Sequence, residues 1–380
     1  MKKAAIIGFG WYGFKPRIEE LTFREMMFEA ASRAYAEAGI DPRKDVDAFI
    51  SCQEDYWEGI AITDEFAPEP IGAVLRPTFT VAGDGLQGIA QAVMLVNTGY
   101  FDVVVVESHA KPGDIKTLQE IYEIALDPIY TRPLKPGNPM FPAGLDAISY
   151  LTRSKVTREH LAIIAAKNKN LGLANPRANY AANITVDEIL DAPPVIYPMT
   201  RYEIAGFTDA ALVAVIASED VAKRFTDTPV WIAGVGWNTE TGTGAVYWHD
   251  WGYMPSARAA ASMAYDMAGV KPSDIVFAEV EDGFSFMEPL FIEEAGLATD
   301  DELPGMIESG DLEPDGALPV NPSGGSLSVG VSLEATGLWR LLEAYLALKA
   351  GVDYAGDGPG LVMSWRGPPT YTSMAAILEV

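Results

Sequence analysis

A chain of 380 residues exceeds what one ordinary hydrophobic core serves, so two domains, or one domain built twice, is the expectation. Hydrophobic residues make up 49% of it and aromatic residues 10%, which is ample for a packed globular interior. A formal charge of −26 repels nucleic-acid phosphates, which need concentrated Lys and Arg, and excludes nucleic acid as a partner class.

An anionic coenzyme remains compatible with that charge through local cations and backbone N–H groups. The single cysteine, Cys52, permits no intrachain disulfide. Met1-Lys2-Lys3 runs straight into a strand-like segment rather than a cleavable apolar leader, so a cytoplasmic location is expected. No apolar run approaches the ~18 residues of a membrane span. Three histidines, His109, His160 and His249, stand singly, in no spacing that suggests a metal site.

Ala4-Ala5-Ile6-Ile7 reads as a buried strand and runs into Gly8-Phe9-Gly10-Trp11-Tyr12-Gly13, a G-x-G-x-x-G match. A dinucleotide fingerprint needs its helix to begin on the glycines. Here Lys15-Pro16-Arg17 intervenes and the capping box Thr22-Phe23-Arg24-Glu25 starts the helix later, so the match is rejected. That helix carries Ala30-Ala31-Ser32-Arg33-Ala34-Tyr35-Ala36-Glu37-Ala38-Gly39. Much later the chain repeats the phrase as Ala260-Ala261-Ser262-Met263-Ala264-Tyr265-Asp266-Met267-Ala268-Gly269, each copy leading through a proline into a strand. A small-residue helix face closed by a left-handed glycine, occurring twice, predicts two similar halves.

The first half continues with the strand Pro77–Val81, a sharp turn at Ala82-Gly83-Asp84-Gly85, a helix from Leu86 to Asn97 and the strand Val103–Val106. This is parallel α/β architecture. Residues 109 to about 205 are rich in Pro and polar residues around one clear helix at His160–Asn168, and read as an inserted cap or loop domain. His109 is placed on a loop at a pocket edge. Ala210–Ile216 restores the core strand and residues 222–228 link to the second half. The expected division is 1–220, with the insertion at about 109–205, and 228–380.

The second half opens with Val230–Gly236. It contains Asn321-Pro322-Ser323-Gly324-Gly325-Ser326-Leu327-Ser328-Val329-Gly330-Val331-Ser332-Leu333-Glu334-Ala335-Thr336-Gly337, which runs directly into an amphipathic helix from Leu338 to Tyr345. Glycines at a helix start let a backbone approach an acyl or phosphate oxygen closely, and equally serve a plain tight turn.

These segments resemble the thiolase superfamily. Asn321–Gly337 is similar to N-x-x-G-G…G-H-P-x-G-A-T-G. Ala165–Asn170 with Asn175-Pro176 resembles the lysine–asparagine segment of SCP2-type thiolases. Glu279–Phe284 resembles E-x-H-D-x-F, and the turn at Ala82–Gly85 resembles C-x-S-G. The resemblance implies an α/β thiolase fold: two duplicated βαβαβαββ halves in a layered αβαβα arrangement with an inserted loop domain.

Against the family pattern, the nucleophilic cysteine falls on Ala82. The two histidines fall on Glu281 and Val331, and the terminal proton-shuttling residue falls near Ser364-Trp365-Arg366-Gly367. Alanine neither carries an acyl group nor forms a thiolate, so a covalent acyl-cysteine is not expected. Glu281, Asp282 and Asp84 are the candidate catalytic residues. A carboxylate at 281 buried against Phe284 would have a raised pKa suited to proton transfer, while Asp84 also suits a helix cap. Tyr202, His249 and Arg366 are lesser candidates for site contacts.

For a coenzyme A thioester as substrate, the expected binding residues are Gly85, Lys167, Lys169, Ser323, Gly324 and Gly325, with Arg153, Lys155 and Arg177 completing a basic concentration in the insertion. No covalently bound cofactor and no metal is expected. The leading expectation is an aldol or retro-aldol reaction on a β-hydroxyacyl-CoA, as in cysteine-less SCP2-thiolase relatives that act with an OB-fold and zinc-finger partner of the DUF35 type. The alternatives are a catalytically silent subunit supporting an active partner, and an acyltransferase. The resemblance also implies a homodimer through the strand beside the elbow.

Overall fold

The computed structural model describes residues 3–380 apart from 55–64, 126–139, 241–248 and 368–370. The first half begins with β1 (Ala4–Lys15), α1 (Phe23–Ala38), β2 (Ala48–Cys52), β3 (Thr78–Val81), α2 (Gly85–Asn97) and β4 (Val103–Ala110). A segment containing α3 (Phe141–Arg153), α4 (Arg158–Leu171) and the ribbon β5 (Pro194–Ile196) with β6 (Met199–Thr200) precedes β7 (Asp209–Ser218). The second half supplies β8 (Val230–Thr239), α5 (Pro255–Ala268), β9 (Phe277–Glu279), α6 (Met287–Glu294), α7 (Gly325–Val329), α8 (Thr336–Ala350), β10 (Gly360–Arg366) and β11 (Thr372–Glu379).

The main strands run in the order β3-β2-β4-β7-β1-β8-β11-β10-β9. The order is nearly palindromic about the antiparallel join of Ala4–Ile6 to Val230–Ile232. Outward from the join each half has two antiparallel pairings and then a parallel one, β1·β7, β7·β4 and β4·β2 against β8·β11, β11·β10 and β10·β9. Even β3 has a remnant counterpart: Val320 bridges Ala278 in parallel just as β3 pairs with β2.

Strand alternation builds the layers. Val104 and Val106 face a core containing Leu86, Ile89 and Val93 of α2 and Leu338, Leu341 and Leu342 of α8, while Val103 and Val105 face α1. In the second half Met374 and Ala376 face the same central core, and Ala375 and Ile377 face α5. A period of two in strands buried on both faces thus produces helix, sheet, paired helices, sheet, helix.

The repeated phrase has a packing cause. A Cβ on Gly8 would lie 2.5 Å from the Ala34 carbonyl oxygen and one on Gly10 2.0 Å from that of Ala30. In the second half, Gly234 and Gly236 would meet the Ala264 and Ala260 oxygens at 2.0 and 2.1 Å. The Gly-x-Gly of each first strand and the alanines four apart on each outer helix let backbones touch. The G-x-G-x-x-G match therefore lies inside β1 as a helix-packing feature.

Two expectations are corrected. Leu338–Tyr345 is not amphipathic: α8 lies in the middle layer and buries both Trp339 and Arg340 completely. His109 is not on a loop but inside β4, its Nδ1 2.8 Å from the Glu107 carboxylate and its ring stacked on Phe23.

Candidate functional site

A cavity of about 120 Å³ opens where the elbow before α2, the turn before α8 and the end of β10 converge with the 141–207 segment. Its walls are mostly apolar, with Phe207, Phe284, Phe286, Met287 and Trp365 among them, and into these walls are set the carboxylates Glu54, Asp84, Asp146, Glu281 and Glu334. Burial raises the cost of every charge placed there, so their partners decide what each can do.

Asp84 is the N-cap of α2, its Oδ1 accepting from the Leu86 amide at 2.8 Å. The same carboxylate accepts from the Gly337 amide near the start of α8 at 2.8 Å and from the Ser364 hydroxyl at 2.9 Å. Desolvation nonetheless pushes its pKa up to about 7, against these hydrogen bonds and with a small push from Glu281. Asp84 is therefore both helix cap and a group that titrates near neutrality.

Glu281 is buried, accepts from the Gly283 amide at 2.8 Å and lies 3.3 Å from the Arg340 guanidinium. Burial raises its pKa and the Arg340 cation opposes the rise. Its neighbour Asp282 has no capacity left: Asn168 Nδ2, the Ser326 and Leu327 amides and Arg340 all donate to it. Asp282 accepts from two amides of the first turn of α7 and is not among the residues lining the cavity.

The residues expected to bind the coenzyme have partners within the protein. Lys167 donates to Glu288 at 2.7 Å and to the Val320 carbonyl at 2.6 Å. Lys169 donates to the Tyr180 and Leu327 carbonyls, and burial lowers its pKa to about 8. Arg153 pairs with Glu293 and Arg177 with Glu343 in largely buried ion pairs, while Lys155 meets Asp301 at the surface.

The glycine loop answers to protein neighbours in the same way. A Cβ on Gly324 would lie 2.8 Å from Gly172, and one on Gly325 2.1 Å from the Asp282 carboxylate. Ser323 donates its hydroxyl to Glu279 at 2.8 Å. A Cβ on Gly85, the first residue of α2, would lie 2.7 Å from the Leu338 Cβ of α8. Of the long loop, the part that reaches the cavity is Val331–Thr336.

Sequence reasoning passed over several lining residues. Glu334 occupies the position of the first glycine in G-A-T-G, and a carboxylate in place of a glycine was a readable signal. Tyr122, whose pKa burial raises with help from Glu334, gave none. Arg366 does line the cavity and forms an ion pair with Glu54. His249 acts from behind the wall, its Nε2 3.0 Å from the Asp146 carboxylate, and Tyr202 is not part of the lining. Cys52 is fully buried, its sulfur directly beneath Gly88 of α2. Among the described residues no group of His, Cys, Asp and Glu is arranged to hold a metal ion, and no helix is long and apolar enough to cross a membrane.

A duplicated α/β sandwich whose cavity lies between the two central helix starts defines a thiolase-like protein. Residues 240–356 match the thiolase C-terminal domain-like family. The chain is 28% identical over 360 residues to an acetyl-CoA acetyltransferase of Methanothermobacter thermautotrophicus, covering 92% of this chain and 91% of that protein. It is 25% identical over 373 residues to bovine sterol carrier protein 2, covering 89% and 65% respectively. Its fold matches the solved Ltp2-ChsH2(DUF35) aldolase with a TM-score of 0.85 and 23% identity, over 100% of this chain and 98% of that one. These matches support membership of the thiolase superfamily, SCP2-thiolase-like.

Proposed function

We propose that this protein makes or breaks a carbon–carbon bond of an acyl-CoA thioester by aldol chemistry, without an acyl-cysteine. The observation that carries the reading is the cavity's chemistry: it is lined by Asp84, Glu281 and Glu334, while the chain's one cysteine lies buried outside it. In the cleavage direction Glu281 takes the proton of the β-hydroxyl. The Cα–Cβ bond then breaks, its electron pair forming the thioester enolate as Cβ becomes a carbonyl. Asp84, protonated over the lower part of the neutral range, returns a proton to Cα. The aldolase named in the structural match supports this reading.

The acyltransferase reading draws on the acetyl-CoA acetyltransferase relative, but among the described residues the cavity lining holds no thiol to carry an acyl group. A silent subunit beside an active partner is the other alternative. The DUF35 component named in the matched structure makes a small OB-fold and zinc-finger protein the partner to supply in the assay.

The test is turnover of a set of β-hydroxyacyl-CoA thioesters by the chain with and without that partner. Glu281→Gln is expected to lose about 10²- to 10⁴-fold in kcat with an unchanged circular dichroism spectrum. Wild-type turnover retained in this variant would remove Glu281 as the base, and no turnover by any preparation would leave the silent-subunit reading.

A further inference from the structure

Arg340 is an unusual residue for the centre of a layered α/β protein. It is fully buried on α8, with its guanidinium lying over the Trp339 ring, 4.9 Å from the ring centroid. Its Nη1 donates to the Val280 carbonyl. Its Nη2 faces three oxygens: Ser326 Oγ at 2.6 Å, Asp282 Oδ1 at 2.8 Å and Glu281 Oε2 at 3.3 Å. One planar cation therefore touches the carbonyl before the acidic pair, both members of the pair, and the first turn of α7.

A buried guanidinium costs several kcal/mol to desolvate unless carboxylates compensate it. Asp282 already has two backbone amides and Asn168 to satisfy it. Among the described residues, Glu281 has the Gly283 and Trp365 amides and no side-chain amide such as Asn168 to share its charge. Of the two carboxylates, Glu281 depends more on Arg340.

We propose that Arg340 is the positioning residue of this site, orienting Glu281 toward the cavity and balancing its charge. The proposal rests on the reading of Glu281 as the base. Among the described residues, the groups facing Glu281 are Arg340 from α8, Asp282 beside it in the chain, Asp84 from the elbow, and the backbone N–H groups of Gly283 and Trp365. Glu334 and the Arg366–Glu54 pair share the cavity wall. Arg340 is the cation in contact with Glu281, so removing it leaves the carboxylate facing like charges and two amides. The identity of residue 340 then sets the pH at which the base becomes competent, and the rigid tie to Ser326 and Asp282 sets its direction.

The test is carboxyl-carbon NMR of glutamate-labelled protein, with the Glu281 signal assigned by its loss in Glu281→Gln, beside the pH profile of kcat. In Arg340→Met the Glu281 titration is expected to move up by roughly 1–3 pH units, the usual effect of an opposite charge within contact distance. The acid limb of the kcat profile is expected to follow it. Arg340→Lys keeps a cation in the cradle, but its single ammonium, drawn to the Val280 carbonyl and Asp282, reaches Glu281 less well. A smaller upward shift is expected there.

A Glu281 titration coinciding with wild type in either folded variant overturns the proposal, as does loss of fold in both, which would make Arg340 purely architectural. A titration that shifts while the acid limb stays still would uphold the positioning role and remove Glu281 as the base.

Discussion

Replacing Asp84 by asparagine separates the stability cost of its charge from its hydrogen bonding. The carboxylate is buried and its pKa rises from 3.8 to about 7 on folding. The folded state therefore holds the proton more tightly than the unfolded chain, and the stabilisation this gives is complete below the unfolded pKa and lost as pH rises through about 7. Between pH 5 and pH 9 the wild type crosses roughly two pH units of that window, and at 1.36 kcal/mol per unit it loses about 3 kcal/mol.

The Asp84→Asn side chain carries no charge and loses none of this. It does turn an amide NH₂ toward either the Gly337 or the Leu86 N–H, leaving one buried donor unsatisfied at a cost of about 1–3 kcal/mol. Asp84→Asn is thus expected to be the less stable protein at pH 5 and to equal or overtake the wild type by pH 9. Urea unfolding at pH 5, 7 and 9 measures the crossing. Parallel stability curves for the two proteins would show that Asp84 does not titrate near neutrality, and would remove it as the proton donor.

Lys167→Met separates a bracing role of Lys167 from a coenzyme-binding one. It strands Glu288 without its cation and is expected to cost about 3–5 kcal/mol in stability, with coenzyme A affinity by calorimetry unchanged within twofold. A tenfold loss of affinity in a folded protein would restore a phosphate contact. The proposed dimer uses the edge of the sheet, where among the described residues β3 pairs with β2 alone and leaves Phe79 40% exposed. Light scattering is expected to give twice 41.0 kDa for wild type and 41.0 kDa for Phe79→Lys, and a monomeric wild type would reject this interface.

The layers of this fold were legible because both faces of its strands are buried and both outer helices carry the same Ala–Ala spacing opposite a Gly-x-Gly strand. That pattern is local, so sequence alone displays it. The site was less legible because its carboxylates come from positions 54, 84, 146, 281 and 334, which only the folded chain brings together. Spacing also does not show the contacts that Lys167 and Lys169 make with the Val320 and Leu327 carbonyls, because those partners lie 153 and 158 residues further along the chain. The same limit hid the purpose of Gly324 and Gly325, whose missing side chains make room for Gly172 and Asp282.

Asp84 shows what duplication does to the chemistry of the centre. Helices α2 and α8 hold equivalent places in the two halves, and one carboxylate accepts an amide from the first turn of each. Both helix dipoles favour negative charge at that spot, and the protein supplies it from its own chain. An enolate forming beside an ionised Asp84 would meet a like charge, whereas beside the protonated acid it would meet a hydrogen-bond donor. Glu281 must meanwhile be ionised to accept the substrate's proton, and Arg340 is the contact that favours that state. A site built this way needs Asp84 protonated, so its kcat is expected to fall as pH rises through about 7. A profile that instead rises to a plateau through pH 9 would assign the returning proton to a group other than Asp84.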